Sequence, residues 1–131
     1  MAPQEGTRRI PGNQHDTAAC EHISRMLARI ADKWTILVVR TLGKGPLRFN
    51  TLKREVGEIS QKMLSSTLRD LEENGFVIRK VTPVVPPQVE YSLTDLGHDF
   101  LNPVCQLATW VAANSARIDK ARAAFAAKNS D

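Results

Sequence analysis

The sequence predicts a mainly α-helical domain carrying one small β-hairpin, and three observations predict it. Apolar residues recur at helical spacing through much of residues 17–74 and again from residue 94 onward. Two short runs, Phe76-Val77-Ile78-Arg79-Lys80-Val81-Thr82 and Gln88-Val89-Glu90-Tyr91-Ser92-Leu93, are rich in branched residues or alternate strictly, as strands do. Between them Pro83-Val84-Val85-Pro86-Pro87 cannot continue a ladder and therefore forms the hairpin tip.

Length and composition narrow the possibilities. A chain of 131 residues is one domain, expected over residues 17–131 behind a flexible polar tail at residues 1–16. No apolar run approaches the roughly 18 residues a membrane span needs. The tail carries Pro3, Gly6, Pro11 and Gly12 where a secretory signal has an apolar segment, so a cytoplasmic protein is expected. The net charge of +4 is unevenly spread. Residues 33–80 hold ten Lys or Arg against five Asp or Glu, whereas the rest of the chain holds eight against nine. The positive excess therefore lies where a polyanion would be met.

The first predicted helix, residues 17–31, aligns Ile23, Met26, Leu27 and Ile30 along a face that needs a partner, with Asp16 or Thr17 as its cap. After Asp32-Lys33 a second helix carries Trp34, Leu37, Val38 and Leu42 toward the core and ends at Gly43-Lys44-Gly45-Pro46. Trp34 is expected to anchor that core. Leu47-Arg48-Phe49 is extended and leads into a short helix to Val56, with Phe49, Leu52 and Val56 inward and Lys53 and Arg54 on the polar side. So short a helix depends on tertiary packing.

A break at Gly57-Glu58-Ile59 separates this helix from the next, which runs from Ser60 to Asn74. Ser60 is placed to cap free amides of the first turn, and Gly75 can close the helix in a left-handed conformation. At about 100° per residue, Met63, Leu64, Leu68 and Leu71 gather on one side, while Gln61, Lys62, Ser65, Ser66 and Arg69 take the other. The outer set suits the DNA major groove: Arg and Lys reach guanine acceptors, Gln pairs with adenine, and serines let the backbone approach. Two helices so joined make a helix-turn-helix. The hairpin that follows makes a wing, with Arg79, Lys80 and Gln88 as candidate phosphate or minor-groove contacts.

Thr94 and Asp95 start the last helix by capping and by placing negative charge at the positive dipole end. Its stripe of Phe100, Val104, Leu107, Ala108 and Val111 continues past Trp110 into an alanine-rich end, and Pro103 should bend or divide it. So long an apolar helix exceeds what a small head can cover, which predicts a second subunit packed there, assisted by the first helix. The fold class is thus a winged helix-turn-helix with terminal dimerisation helices, the last from about residue 94.

Chemistry of other classes finds little support. His15, Cys20, Glu21 and His22 match no common zinc spacing, so neither a metal nor a cofactor is expected. No glycine-rich phosphate loop, nucleophile elbow or HExxH motif is present, and the chain is not expected to be an enzyme.

Taken in order, Lys33-Trp34-Thr35-Ile36-Leu37, Gly45-Pro46-Leu47-Arg48-Phe49, Ile59-Ser60-Gln61-Lys62-Met63-Leu64, Leu68-Arg69-Asp70-Leu71-Glu72 with Gly75, residues 83–91, and Leu93-Thr94-Asp95-Leu96-Gly97 resemble the HxlR family of bacterial winged-helix regulators, related to the MarR-type regulators. The resemblance covers about residues 20–111. It implies a homodimeric transcription factor, with repression the expected mode. Its two recognition helices would enter successive major grooves of an inverted-repeat operator, about 34 Å apart.

The same resemblance draws attention to Cys20, because some family members sense electrophiles or oxidants through a cysteine at that place. Such a thiol lies in the first turn of a helix, at the positive dipole end, and Arg25 is near it in sequence. Cys105 lies in the expected dimerisation helix, so an intersubunit Cys20–Cys105 bridge is an open possibility, as is an inert thiol. Two further readings stay open: control by a reversible small-molecule inducer, and use of the winged helix for protein contacts.

Overall fold

The structure, a computed structural model, describes residues 17–130. The expected tail, with Arg8, Arg9, His15 and the capping candidate Asp16, lies outside the described residues. The element order is α1 (Thr17–Ile30), α2 (Lys33–Leu42), β1 (Leu47–Arg48), α3 (Phe49–Val56), α4 (Gln61–Glu73), β2 (Val77–Thr82), β3 (Gln88–Leu93) and α5 (Asp95–Lys128). No described helix is long and apolar enough to cross a membrane.

Helix α2 is the hub, since α3, α4, α5 and β3 all pack against it. It starts where Asp32 accepts the Thr35 amide at 2.9 Å and the Thr35 hydroxyl at 3.0 Å, which seats Thr35 in the interior with its polar group satisfied. Val38, Val39 and Leu42 then meet Leu52 of α3, Leu64, Leu68 and Leu71 of α4, Phe76, Val77, Leu93 and Val104 in one core. Trp34 is not the centre of that core as expected. It is half-buried at the edge, with the Lys33 ammonium 4.7 Å from its ring centroid. Val39, next to the anticipated Val38, is wholly enclosed, whereas Leu37 is half-buried.

The sheet has three strands in the order β1-β3-β2, all antiparallel, so the hairpin gains a strand that periodicity could not reveal. Leu47 stands opposite Tyr91 and Arg48 opposite Glu90. A two-residue strand has no period of its own, and pairing with β3 is what defines it. Strand β2 starts at Val77, one residue later than anticipated, because Phe76 donates its amide to the Leu71 carbonyl at 2.9 Å in closing α4. Gly75, at φ +83°, donates to Glu72 at 3.1 Å in the same closure.

A three-way junction ties α4 to α5. The Thr94 hydroxyl accepts the Gly97 amide at 3.0 Å and donates to the Gly75 carbonyl at 2.6 Å, while the Thr94 amide donates to the Phe76 carbonyl at 3.0 Å. Gly97 is required there: a Cβ would lie 2.2 Å from the Phe76 carbonyl oxygen. Phe76 also stacks on Phe100, centroids 4.9 Å apart.

Beyond the junction α5 runs unbroken for 34 residues, about 51 Å at ~1.5 Å per residue, with Pro103 inside it. Of the expected bend or division, the division does not occur. Val104 is buried and Phe100 and Leu101 pack against the core, so tertiary contact on both sides of Pro103 outweighs its lost hydrogen bond, which costs ~3 kcal/mol. The outer part is another matter: Leu107, Trp110, Val111, Ile118 and Phe125 are exposed, Trp110 at 55% and Phe125 at 69%. On α1, Ile23 and Leu27 are exposed too, while Ile30 packs on the core.

Candidate nucleic-acid interface

The outward side of α4 is built by its inward side. Leu64, Thr67, Leu68 and Leu71 are buried at the i, i+3, i+4, i+7 spacing that makes a single ridge, and this fixes the rotation of the helix. Met63 does not belong to that ridge, contrary to expectation; it is 44% exposed, and Thr67 takes its place. Thr67 lies three residues after Leu64 and one before Leu68, inside the buried arc, so position outweighs polarity.

With the ridge down, Lys62, Ser65, Ser66 and Arg69 are brought together around one shallow hollow on the opposite side, and all four are exposed. Gln61 is exposed as well, but at the flank of the helix and outside that hollow. The Ser60 side chain accepts the Met63 amide at 3.0 Å, the cap foreseen for it. The turn before it is held by Ile59, which is buried and was not anticipated as core, and by Gly57, whose φ of +114° suits glycine alone.

On α3, Leu52 is buried and Phe49 and Val56 pack against the core, so the polar side turns outward. Arg54 is exposed, its guanidinium donating to the Thr51 hydroxyl at 3.5 Å, and Lys53 is half-buried. The wing residues separate. Register places Lys80 beside Glu90 and Gln88 beside Thr82 on the outer face, whereas Arg79 stands beside Tyr91 on the face whose inner end, Val77 and Leu93, enters the core. Arg79, Lys80 and Gln88 are all exposed, yet Arg79 does not share a face with the other two.

Arg48 was absent from the sequence-based set of candidates. Paired with Glu90, it shares the outer face with Lys80, and it helps line a hollow with Asn50, Thr51, Pro86 and Gln88 between α3 and the wing. The signal was the alternation Leu47 inward, Arg48 outward, too short to weigh by itself.

The cysteines lie away from this surface. Cys20, in the first turn of α1, and Cys105, on α5, are exposed thiols. Arg25 is five residues beyond Cys20, about 140° around the helix, so its proximity in sequence is not proximity on one face. Cys105 borders an open, largely apolar hollow with Gln106, Thr109, Trp110 and Ala113.

This order of elements is a helix-turn-helix followed by a winged sheet, and the model of the HxlR-like helix-turn-helix family matches residues 29–119. The chain belongs to that family. Its HxlR-like portion takes in every element from α2 to β3 and most of α5. The chain is similar to the HTH-type transcriptional regulator YtfH of Escherichia coli (strain K12), with 43% identity over 89 residues, 68% of this chain and 71% of that one. Among solved structures, it resembles the transcriptional regulator ytfH from Salmonella typhimurium at a TM-score of 0.71 and 39% identity, over 76% of this chain and 89% of the other. It also resembles the redox regulator HypR in its reduced form, at a TM-score of 0.70 and 35% identity over 76% of this chain and 98% of HypR, and in its oxidized form, at 0.66 and 38% over 71% and 96%. This HxlR-like protein is therefore a winged helix-turn-helix transcriptional regulator, as the names of the relatives it matches describe them.

Proposed function

We propose that the protein acts in the cytoplasm as a homodimeric, sequence-specific repressor, with α4 in the major groove of each half of an inverted-repeat operator. The observation that carries this is the uncovered group Lys62, Ser65, Ser66 and Arg69 on a helix whose rotation is fixed by Leu64, Thr67, Leu68 and Leu71. Lys62 and Arg69 are the base readers, Gln61 reads from the flank, and Ser60, Ser65 and Ser66 allow close approach. Lys53, Arg54, Lys80, Gln88 and, from the other face of the wing, Arg79 hold the phosphates. Repression follows from occupancy: a dimer spanning half-sites about 34 Å apart covers promoter DNA that polymerase needs.

The dimer contact is assigned to the exposed apolar residues of α5 and α1. Leu107, Val111 and Ile118 recur along one side of α5 with Trp110 beside them, all of them exposed, and so clustered an apolar exposure suits a subunit contact. We further assign control of this dimer to Cys20. Its exposure and the similarity to the redox regulator HypR support that reading. Alkylation by an electrophile, or oxidation to a disulfide with Cys105 of the other subunit, would alter the spacing of the two α4 helices. Reversible occupation of the apolar hollow beside Cys105 by a small molecule is the second reading.

A gel-shift titration on the DNA upstream of the protein's own gene tests both levels. Specific retardation that a thiol oxidant abolishes in wild type but not in Cys20→Ser, with a dimer band on a non-reducing gel, supports control through Cys20. A response retained by Cys20→Ser points to the reversible ligand. Equal retardation of operator and random DNA overturns sequence-specific binding.

A further inference from the structure

Met63 lies on the recognition helix yet serves neither the core nor the polar group beside it. The next residue, Leu64, is fully buried, and Met63 stands about 100° around the helix from it, 44% exposed. Its neighbours along the helix are Ser60 three residues before and Ser66 three residues after, both exposed and both short. The unbranched thioether is thus only partly shielded, by short serines at i−3 and i+3 and by the buried Thr67 at i+4. Its backbone is held, because the Met63 amide is the one that Ser60 caps at 3.0 Å. The placement is also the one nearest bases in a helix-turn-helix, where the N-terminal turn of the recognition helix contacts the base edges.

We propose that Met63 is a specificity-determining residue that packs on the C5-methyl group of a thymine in each half-site. This rests on the assignment of α4 to the major groove. There the base edges offer donors and acceptors with one apolar exception, the thymine methyl, so an apolar side chain in the groove has one base to recognise. Methionine suits the task, being flexible enough to follow the methyl and polarizable enough to gain from touching it. Gln61, Lys62 and Met63 then fan across the groove from consecutive positions, with Lys62 central and Met63 on the flank opposite Gln61. The half-site holds a thymine beside the base pair that Lys62 reads.

The test takes the full-length protein and the sequence it selects from a randomised duplex pool, with each thymine replaced singly by deoxyuridine, which removes the methyl alone. Fluorescence anisotropy at fixed salt gives the affinity. At one thymine per half-site, wild type should lose about fourfold, or about 0.8 kcal/mol for one buried methyl-sized group. Met63→Ala should bind the thymine and deoxyuridine duplexes equally at that position. Met63→Leu should restore part of the difference, and Arg69→Ala should retain it while binding both more weakly. A thymine-to-deoxyuridine ratio that Met63→Ala leaves unchanged at every position overturns the assignment, as does a wild-type protein indifferent to every methyl. A pool from which no sequence is selected overturns the groove assignment of α4 and this proposal with it, whereas specific binding uncoupled from Met63 overturns this proposal alone.

Discussion

Leu68 and Arg69 are consecutive residues with opposite fates, one nearly sealed in the core and one in open solvent. Leu68→Ala should destabilise the fold by about 2–5 kcal/mol, seen as a lower melting temperature. Arg69→Ala should leave melting unchanged and instead cost about 1–3 kcal/mol on the operator and far less on random DNA. Lys53→Ala should weaken all sequences alike and reduce the slope of log affinity against log salt by about 0.9 per protomer. Equal losses on operator and random DNA for both substitutions would remove the distinction between base reader and phosphate contact. Gly97→Ala carries the reverse of the usual sign for a helix. Alanine ordinarily gains ~1 kcal/mol over glycine there, but here its Cβ would meet backbone at 2.2 Å, so a melting scan should show a clear loss of stability.

At the level of elements, the helices and the caps of α4 and α5 were legible because each follows from local spacing, whereas the Asp32 cap of α2 was not foreseen. Ser60, Thr94 and Gly75 all do what their positions foretold. What was hidden required a partner distant in sequence. Strand β1 exists through β3, Ile59 is buried by the helices around it, and Pro103 is tolerated because Val104 is already committed to the core. Met63 and Thr67 were exchanged because hydrophobicity ranks methionine first, whereas the rotation of α4 is set by three leucines that leave room at 67. The split of the wing cations likewise depended on register, which strand pairing alone fixes. Thr94→Val should test the junction between α4 and α5, since it removes the bonds to Gly97 and Gly75 at once. A loss of about 1–2 kcal/mol in chemical denaturation is expected, with wild-type sequence preference retained by the folded fraction.

For the whole molecule, the proposed assembly depends on side chains that the single chain leaves in water. Leu107→Asp combined with Val111→Asp should therefore spare the protomer and break the pair, giving a monomer by sedimentation velocity with the far-ultraviolet spectrum of wild type. A double variant that still sediments as a dimer would move the contact elsewhere. The existence of this apolar stripe was legible from residue spacing, but how much of it the head itself covers was not, because that depends on where α5 departs from the core.

The bonds of Thr94 bear on how such a pair would respond to a signal. They join the end of α4 to the start of the long arm directly, the Thr94 hydroxyl and amide bonding to backbone atoms of Gly75, Phe76 and Gly97. A tilt of one arm against the other would accordingly carry each head with it as a solid piece, the way a handle turns a blade. In the proposed dimer, regulation would then be a matter of the distance and angle between two intact heads, and operators with altered half-site spacing should mimic or cancel the effect of a signal acting through the arms.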